Sequence, residues 1–240
     1  MREKILAYSI KYDGQWNKIA KAIAENEEIE KCSCIYPYIT IVDKEYPAKL
    51  KSLRFPPWIL FYVGDISLLN QNGIGIVGSR EISDYGRWCT QGIVETTKNQ
   101  KVIISGMAKG IDAQAHYAAI NAHTIGVLGN GLNVIYPKEN RELYELMKKK
   151  QLLISEYPPD VSPRKYHFPW RNRIIAALSD KIVVPQAKIK SGTMVTVNHA
   201  IEMGKEVYCV PYRIIDQDGQ GNNELIENGA IILNHFDDLL

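Results

Sequence analysis

Gly73-Ile74-Gly75-Ile76-Val77-Gly78-Ser79-Arg80 is a short apolar run that breaks into a small, polar, cationic turn. The same kind of run recurs at 102–104, 124–128, 152–154, 182–184, 207–210 and 230–233. Between most of these lie stretches with helical spacing, at 84–98, 112–121, 139–149, 170–178 and 193–203. Strands buried on both faces read as unbroken apolar runs, and helices between them carry the chain back across the sheet. The pattern therefore predicts an α/β fold with a parallel sheet covered by helices on both faces. In such sheets the ligand crevice lies outside the carboxyl ends of the strands. Function is thus to be sought in the residues just after each apolar run.

Residues 73–78 satisfy G-x-G-x-x-G literally, yet in the dinucleotide fingerprint the glycines follow the strand and open the helix. Here two glycines enter the strand, and the next strand ends at Ser105-Gly106 with no acidic residue to hold a ribose. A nicotinamide or flavin site is not expected. Gly78, Ser79 and Arg80 instead offer backbone N–H groups, a hydroxyl and a guanidinium, a set that suits phosphate. The loop Ser105-Gly106-Met107-Ala108-Lys109-Gly110-Ile111-Asp112 lacks the G-K-[ST] ending of a Walker loop. Lys109 is its cation, Asp112 is read as a helix cap, and His116 one turn later as a structural histidine. Leu128-Gly129-Asn130-Gly131-Leu132-Asn133 reads as a turn needing positive φ, with close approach of a ligand as the second reading.

After 182–184 the chain runs Pro185-Gln186-Ala187-Lys188-Ile189-Lys190-Ser191-Gly192-Thr193 into a helix. Lysines and small hydroxyl residues at a helix start form an anion site, which singles out Lys188, Lys190, Ser191, Gly192 and Thr193. Upstream, Lys165-Tyr166-His167-Phe168-Pro169-Trp170-Arg171-Asn172-Arg173 interleaves cations with aromatics. Such a segment can hold a nucleic-acid backbone and stack its bases, so Phe168, Arg171, Asn172 and Arg173 join the candidates. The competing reading makes Phe168 and Trp170 core anchors and pairs the arginines with carboxylates. Net charge is only +2, but residues 161–213 hold nine Lys/Arg against three Asp/Glu. No nucleophile–base–acid set and no metal-ligand spacing is legible, so neither an enzyme nor a metal or other cofactor is expected.

The 240 residues suffice for one sizeable core plus a small appendage. Residues 1–37 read as a short helical segment, with Trp16, Ile19, Ala20 and Ile23 on one face, and residues 38–240 as the main domain, opening with strand candidates at 38–42 and 58–63. Four cysteines make no disulfide framework. With no signal-like start and no long apolar stretch, a cytoplasmic location without membrane attachment is expected.

Taken in order, the motifs resemble the DprA/Smf family. They are GIVGSR from Gly75, SGMAKGIDAQAH from Ser105, LGNGLNVIYP from Leu128, ISEYPP from Ile154, FPWRNRIIAALS from Phe168, KSGTMVTVNHA from Lys190 and GNNELIENGA from Gly221. The resemblance implies an extended Rossmann-like domain that binds single-stranded DNA and forms a homodimer. It further implies protection of incoming DNA in natural transformation and help in loading RecA recombinase. It places the DNA pocket on Gly78, Ser79, Arg80, Lys190, Ser191, Gly192 and Thr193. The chain resembles a short form, with an abbreviated N-terminal segment and no winged helix. It departs from many members at Pro185-Gln186 and at Pro211-Tyr212. The alternative is a nucleotide-processing hydrolase similar to the LOG phosphoribohydrolases, whose motif places a glutamate three residues after the threonine; here that position is Thr196. For a dimer surface, Phe236, Leu239 and Leu240 are the candidates, because a chain end is seldom deeply buried, while 231–233 are assigned to the last strand.

Overall fold

The computed structural model describes residues 1–240. Two helices, α1 (Arg2–Lys11) and α2 (Trp16–Ala24), precede β1 (Tyr38–Thr40), the one-turn α3 (Ala48–Lys51) and β2 (Ile59–Val63). The alternating part follows as β3 (Gly73–Ile76), α4 (Asp84–Thr97), β4 (Val102–Ser105), α5 (Ile111–Ala118) and β5 (Thr124–Leu128). It continues with α6 (Arg141–Lys150), β6 (Leu152–Ser155), α7 (His167–Leu178), β7 (Lys181–Val184), α8 (Thr193–Glu202), β8 (Val207–Cys209), α9 (Gln220–Glu227) and β9 (Ile231–Ile232). Each apolar run of the sequence is a strand, and each helical stretch a helix. No helix is long and apolar enough to cross a membrane.

The nine strands form one sheet in the order β1-β2-β6-β5-β4-β3-β7-β8-β9. β3 through β9 pair in parallel, while β1 and β2 add an antiparallel edge beside β6. Side chains alternate across the sheet, as period-two strands require. Val102 and Ile104 face a core shared with Ile174 and Val197 of α7 and α8, while Ile103 faces the core of Cys89 and Ile93 on α4. At the β2–β6 end, Ile5 and Leu6 of α1 pack in one cluster with Phe61 and Leu153. The chain winds outward from β3 through β4, β5 and β6, then returns to place β7 on the other side of β3. The strand order thus reverses at β3, the geometry that leaves a crevice at the carboxyl end of a sheet.

Two expectations are corrected. The Gly129–Gly131 turn has no residue at positive φ. Instead, a Cβ on Gly131 would stand 2.1 Å and 2.2 Å from the carbonyl oxygens of Pro158 and Pro159, so the glycine admits another stretch of backbone. At the chain end, Leu239 is fully buried in the core beneath α4, and Phe236 is half-buried against Trp88, with ring centroids 5.5 Å apart. The exposed apolar residues there are Ile231 and Ile232 on β9, together with Leu240. The last residues close a core that α4 leaves open, so the general tendency of termini to be loose does not decide their burial.

Candidate nucleic-acid interface

A groove of about 640 Å³ opens where the strand order reverses, outside the carboxyl ends of β3 and β7. Its walls carry Gly78, Ser79 and Arg80 on one side and Ser191, Gly192 and Thr193 on the other. Phe168 and Asn172 of α7 form a third wall. Segments far apart in sequence are brought together because parallel strands β3 and β7 are neighbours.

The turn after β3 is held rigidly. The Ser79 amide donates to the Gln186 carbonyl at 2.8 Å, and the Ser79 hydroxyl is engaged with the backbone of Glu81. The expected free N–H of Ser79 is therefore already spent, and the serine braces the turn. Gln186 is fully buried; its Oε1 accepts from the Ser83 amide and hydroxyl, and its Nε2 donates to the Glu81 carbonyl at 3.1 Å. Gln186 thus ties the turn to the end of β7. Gly110 completes the contact: at φ +73°, a Cβ there would lie 2.2 Å from the Ser79 carbonyl oxygen. Arg80 projects into the open and has no carboxylate partner.

Across the groove, α8 begins at Thr193 with Gly192 before it and no side chain capping its amides. Orphan N–H groups at such a helix start attract anions. The Ser191 hydroxyl oxygen is buried with no hydrogen-bond partner. A Cβ on Gly192 would meet nothing within 4 Å, so the space before the helix is open. Lys190 is exposed, unpaired and held at φ +55°; it stands at the rim outside the lining residues. Lys188 pairs with Glu81 and lies 3.5 Å from Asp218. Glu81 accordingly holds the lysine ammonium above its ordinary range. Lys188 thus links the two walls and is only partly available to a ligand.

On α7 the sequence candidates divide. Phe168 lies against Tyr136, ring centroids 5.3 Å apart, and both line the groove. Arg171 is buried at the groove floor. Its Nη1 donates to the carbonyls of Gly106 and Val127, its Nε to Asn172, and its Nη2 has no acceptor in the chain. Arg173 corrects the sequence reading. It is 4% exposed and makes a two-pronged pair with Glu156, at 2.7 Å and 2.6 Å. Its Nε and Nη1 also donate to the carbonyls of Phe55 and Trp170, leaving no edge for a phosphate. Lys109 lies outside the groove and pairs with Glu139. Lys165 and Tyr136 line the groove but were not among the sequence candidates. Tyr136 was signalled by its place after β5, and Lys165 by the interleaved segment it begins.

Asp112 serves the loop after β4. Its Oδ2 accepts from the Gly106 and Ala108 amides at 3.0 Å and 3.3 Å, reaching back over the loop, with Gly110 preceding the helix. Burial pushes its carboxyl above the usual range, and Arg171 and the two amides partly offset that. His116 is fully buried. The Thr124 hydroxyl donates to the Ile103 carbonyl at 2.8 Å, so it can only accept from His116 Nδ1, 2.7 Å away. Nε2 is then the unprotonated nitrogen, and it has no partner. Burial, with Arg171 nearby, lowers the imidazole to about 3. No group of three metal-ligating side chains is present.

The sequence profile of DNA recombination-mediator protein A matches residues 37–240. The chain belongs to that family. It is 44% identical over 196 residues to DNA processing protein DprA of Bacillus subtilis, covering 80% of this chain and 66% of the relative. The X-ray structure of DprA from Streptococcus pneumoniae superposes with a TM-score of 0.83 at 32% identity, covering 100% of this chain and 92% of that one. A Helicobacter pylori DprA structure, described as giving insight into that protein's single-stranded DNA binding mode, superposes with a TM-score of 0.76 at 34% identity. That match covers 85% of this chain and 94% of the other. The fold is accordingly that of the family's Rossmann-like domain, with N-terminal helices added.

Proposed function

We propose that this chain binds single-stranded DNA in the groove at the β3–β7 crevice, without chemical turnover. The observation that carries the reading is the pairing of free cation and free donor on facing walls. Arg80, Lys165 and Lys190 have no carboxylate partners, and opposite Arg80 the Ser191 hydroxyl is unsatisfied and α8 starts without a side-chain cap, the Met194 amide alone reaching back to the Ser191 carbonyl. Phosphates supply the acceptors those groups lack, while Phe168 and Tyr136 offer faces to bases. Arg173 is left out of the proposed contacts, and Lys109 and Lys188 are assigned at most a secondary part. The hydrolase alternative has no free base to act with. The groove's two carboxylates are Glu81, held by Lys188, and Asp112, held by two amides.

The wider role follows the family. The DNA held here is strand taken up in natural transformation, protected and passed to RecA in the cytoplasm by a homodimer. Two linked grooves make the second contact intramolecular, raising affinity by about 10²- to 10⁴-fold without a new kind of contact. The exposed edge of β9, with Ile231 and Ile232, replaces Phe236 and Leu239 as the joining surface.

The test is a salt titration of binding to single-stranded and duplex DNA. Single strands are expected to bind more tightly and with little regard to sequence. Arg80→Ala and Lys190→Ala should each weaken binding and flatten the salt slope by about 0.7 to 1. Parent-like binding by both variants at every salt concentration would mean the site is elsewhere. Nucleoside monophosphates and ATP are expected to be returned unchanged; sustained release of base or phosphate would favour the hydrolase.

A further inference from the structure

The start of α7 has two working sides. Lys165, Phe168, Pro169 and Asn172 face the groove, whereas Tyr166, His167 and Trp170 line a second cavity of about 370 Å³. The far wall of that cavity is the N-terminal segment, with Gln15, Trp16, Asn17 and Lys18. Its aromatic walls are fixed in place. The Trp16 indole N–H donates to the Pro56 carbonyl at 2.7 Å, and the Trp170 ring sits beneath the Arg173 guanidinium, 4.2 Å from centroid to carbon. Tyr166 is 56% exposed, and its hydroxyl accepts from Arg164, which also reaches Asp13. The polar groups, by contrast, are unspent. The side chains of Gln15, Asn17 and Lys18 make no hydrogen bond or ion pair within the chain.

We infer that this cavity is a nucleobase subsite, where a base of the strand held in the main groove stacks after the strand crosses the first turn of α7. The inference rests on the proposed DNA-binding reading. Rigid indole and phenol faces take any base, because every base has a π-face, and their fixed positions lower the ordering cost. The free amides of Gln15 and Asn17 can donate to and accept from a base edge. Lys18 at the rim suits the accompanying phosphate. Continuity selects the occupant: residues 165–170 alternate between the two cavities, so a strand leaving one meets the other across a single helix, about 10 Å wide. The N-terminal helices thereby lengthen the footprint on DNA.

Tyr166→Ala and Lys18→Glu change exposed side chains, so folding is not at stake. Binding is measured for oligothymidylates of about four and about twelve nucleotides, spanning the usual site sizes. The parent should bind the longer one more tightly than added length alone explains. Both variants should hold the short strand like the parent and the long one about fivefold or more weakly, the lower end for one lost stack. Unchanged long-strand binding in both, with Arg80→Ala still weakening it, overturns the subsite and leaves the main groove standing. Equal weakening at both lengths also overturns it, since Tyr166 would then belong to the main groove. Failure of the parent to bind either strand removes the DNA reading itself.

Discussion

Replacing Arg173 by methionine should cost the fold dearly while leaving the proposed DNA contacts intact. The guanidinium and the Glu156 carboxylate are each 4% exposed and joined by two short hydrogen bonds. Two more bonds run from the guanidinium to the carbonyls of Phe55 and Trp170. Removing one partner of a buried pair leaves the other charge without compensation, a loss of about 3–5 kcal/mol. Removing both charges together, in Arg173→Met with Glu156→Leu, should recover much of it, since two apolar groups need no desolvation. Lysine should rescue poorly, for a point charge cannot engage both carboxylate oxygens and the Phe55 carbonyl at once. Urea unfolding of the parent, both single variants and the double gives the coupling directly as a double-mutant cycle. The salt slope of DNA binding, measured on folded Arg173→Met in the cold, should match the parent. A stability loss under about 1 kcal/mol, or a slope flattened as by Arg80→Ala, would refute the assignment of Arg173 to the core.

His116 makes stability fall in mild acid. Its folded-state value of about 3 lies below the ordinary 6.5, so the unfolded chain takes up a proton that the native one refuses as pH drops through that window. The loss approaches about 1.4 kcal/mol per pH unit, or about 2 kcal/mol at pH 5. In His116→Leu the difference in unfolding free energy between pH 7 and pH 5 should shrink by that amount; an unchanged difference would show that the ring is not held neutral. Ile232→Glu places a charge on the exposed edge of β9 and should convert a micromolar dimer to monomer in sedimentation, with groove affinity for short strands kept. A parent already monomeric, or a variant still dimeric, would remove β9 as the joining edge.

Much of the fold was readable because double burial leaves so plain a trace. Each parallel strand is an apolar run, and the runs at 73–76 and 181–184 both lead into turn chemistry at the one place where the strand order reverses. Nothing local told that β1 and β2 run antiparallel, since a short half-buried strand reads the same in either direction. Arg173 was misjudged for a related reason: Glu156 lies 17 residues upstream, and only the packing of α7 against the chain after β6 brings the charges together. Ser79 looked like a free donor because its acceptor, the Gln186 carbonyl, belongs to a strand end far along the chain. Glycines at 129 and 131 carried a real signal of tight backbone, but sequence could not say whether the neighbour was a turn, a ligand or Pro158-Pro159.

The sheet order also fixes when the groove is completed during synthesis. Glu81 and Lys188, which join the two walls of the groove, are 107 residues apart. At about 5–20 residues per second, the turn after β3 waits roughly 5–20 s on the ribosome before its opposite wall has been made. Until β7 emerges, β3 is an unpaired edge, and Arg80 stands on a half-built surface. A chain that ends before residue 181 therefore carries Arg80, Tyr136, Lys165 and Phe168 but lacks Lys190, Ser191 and the start of α8, so one cationic wall stands without its facing donors.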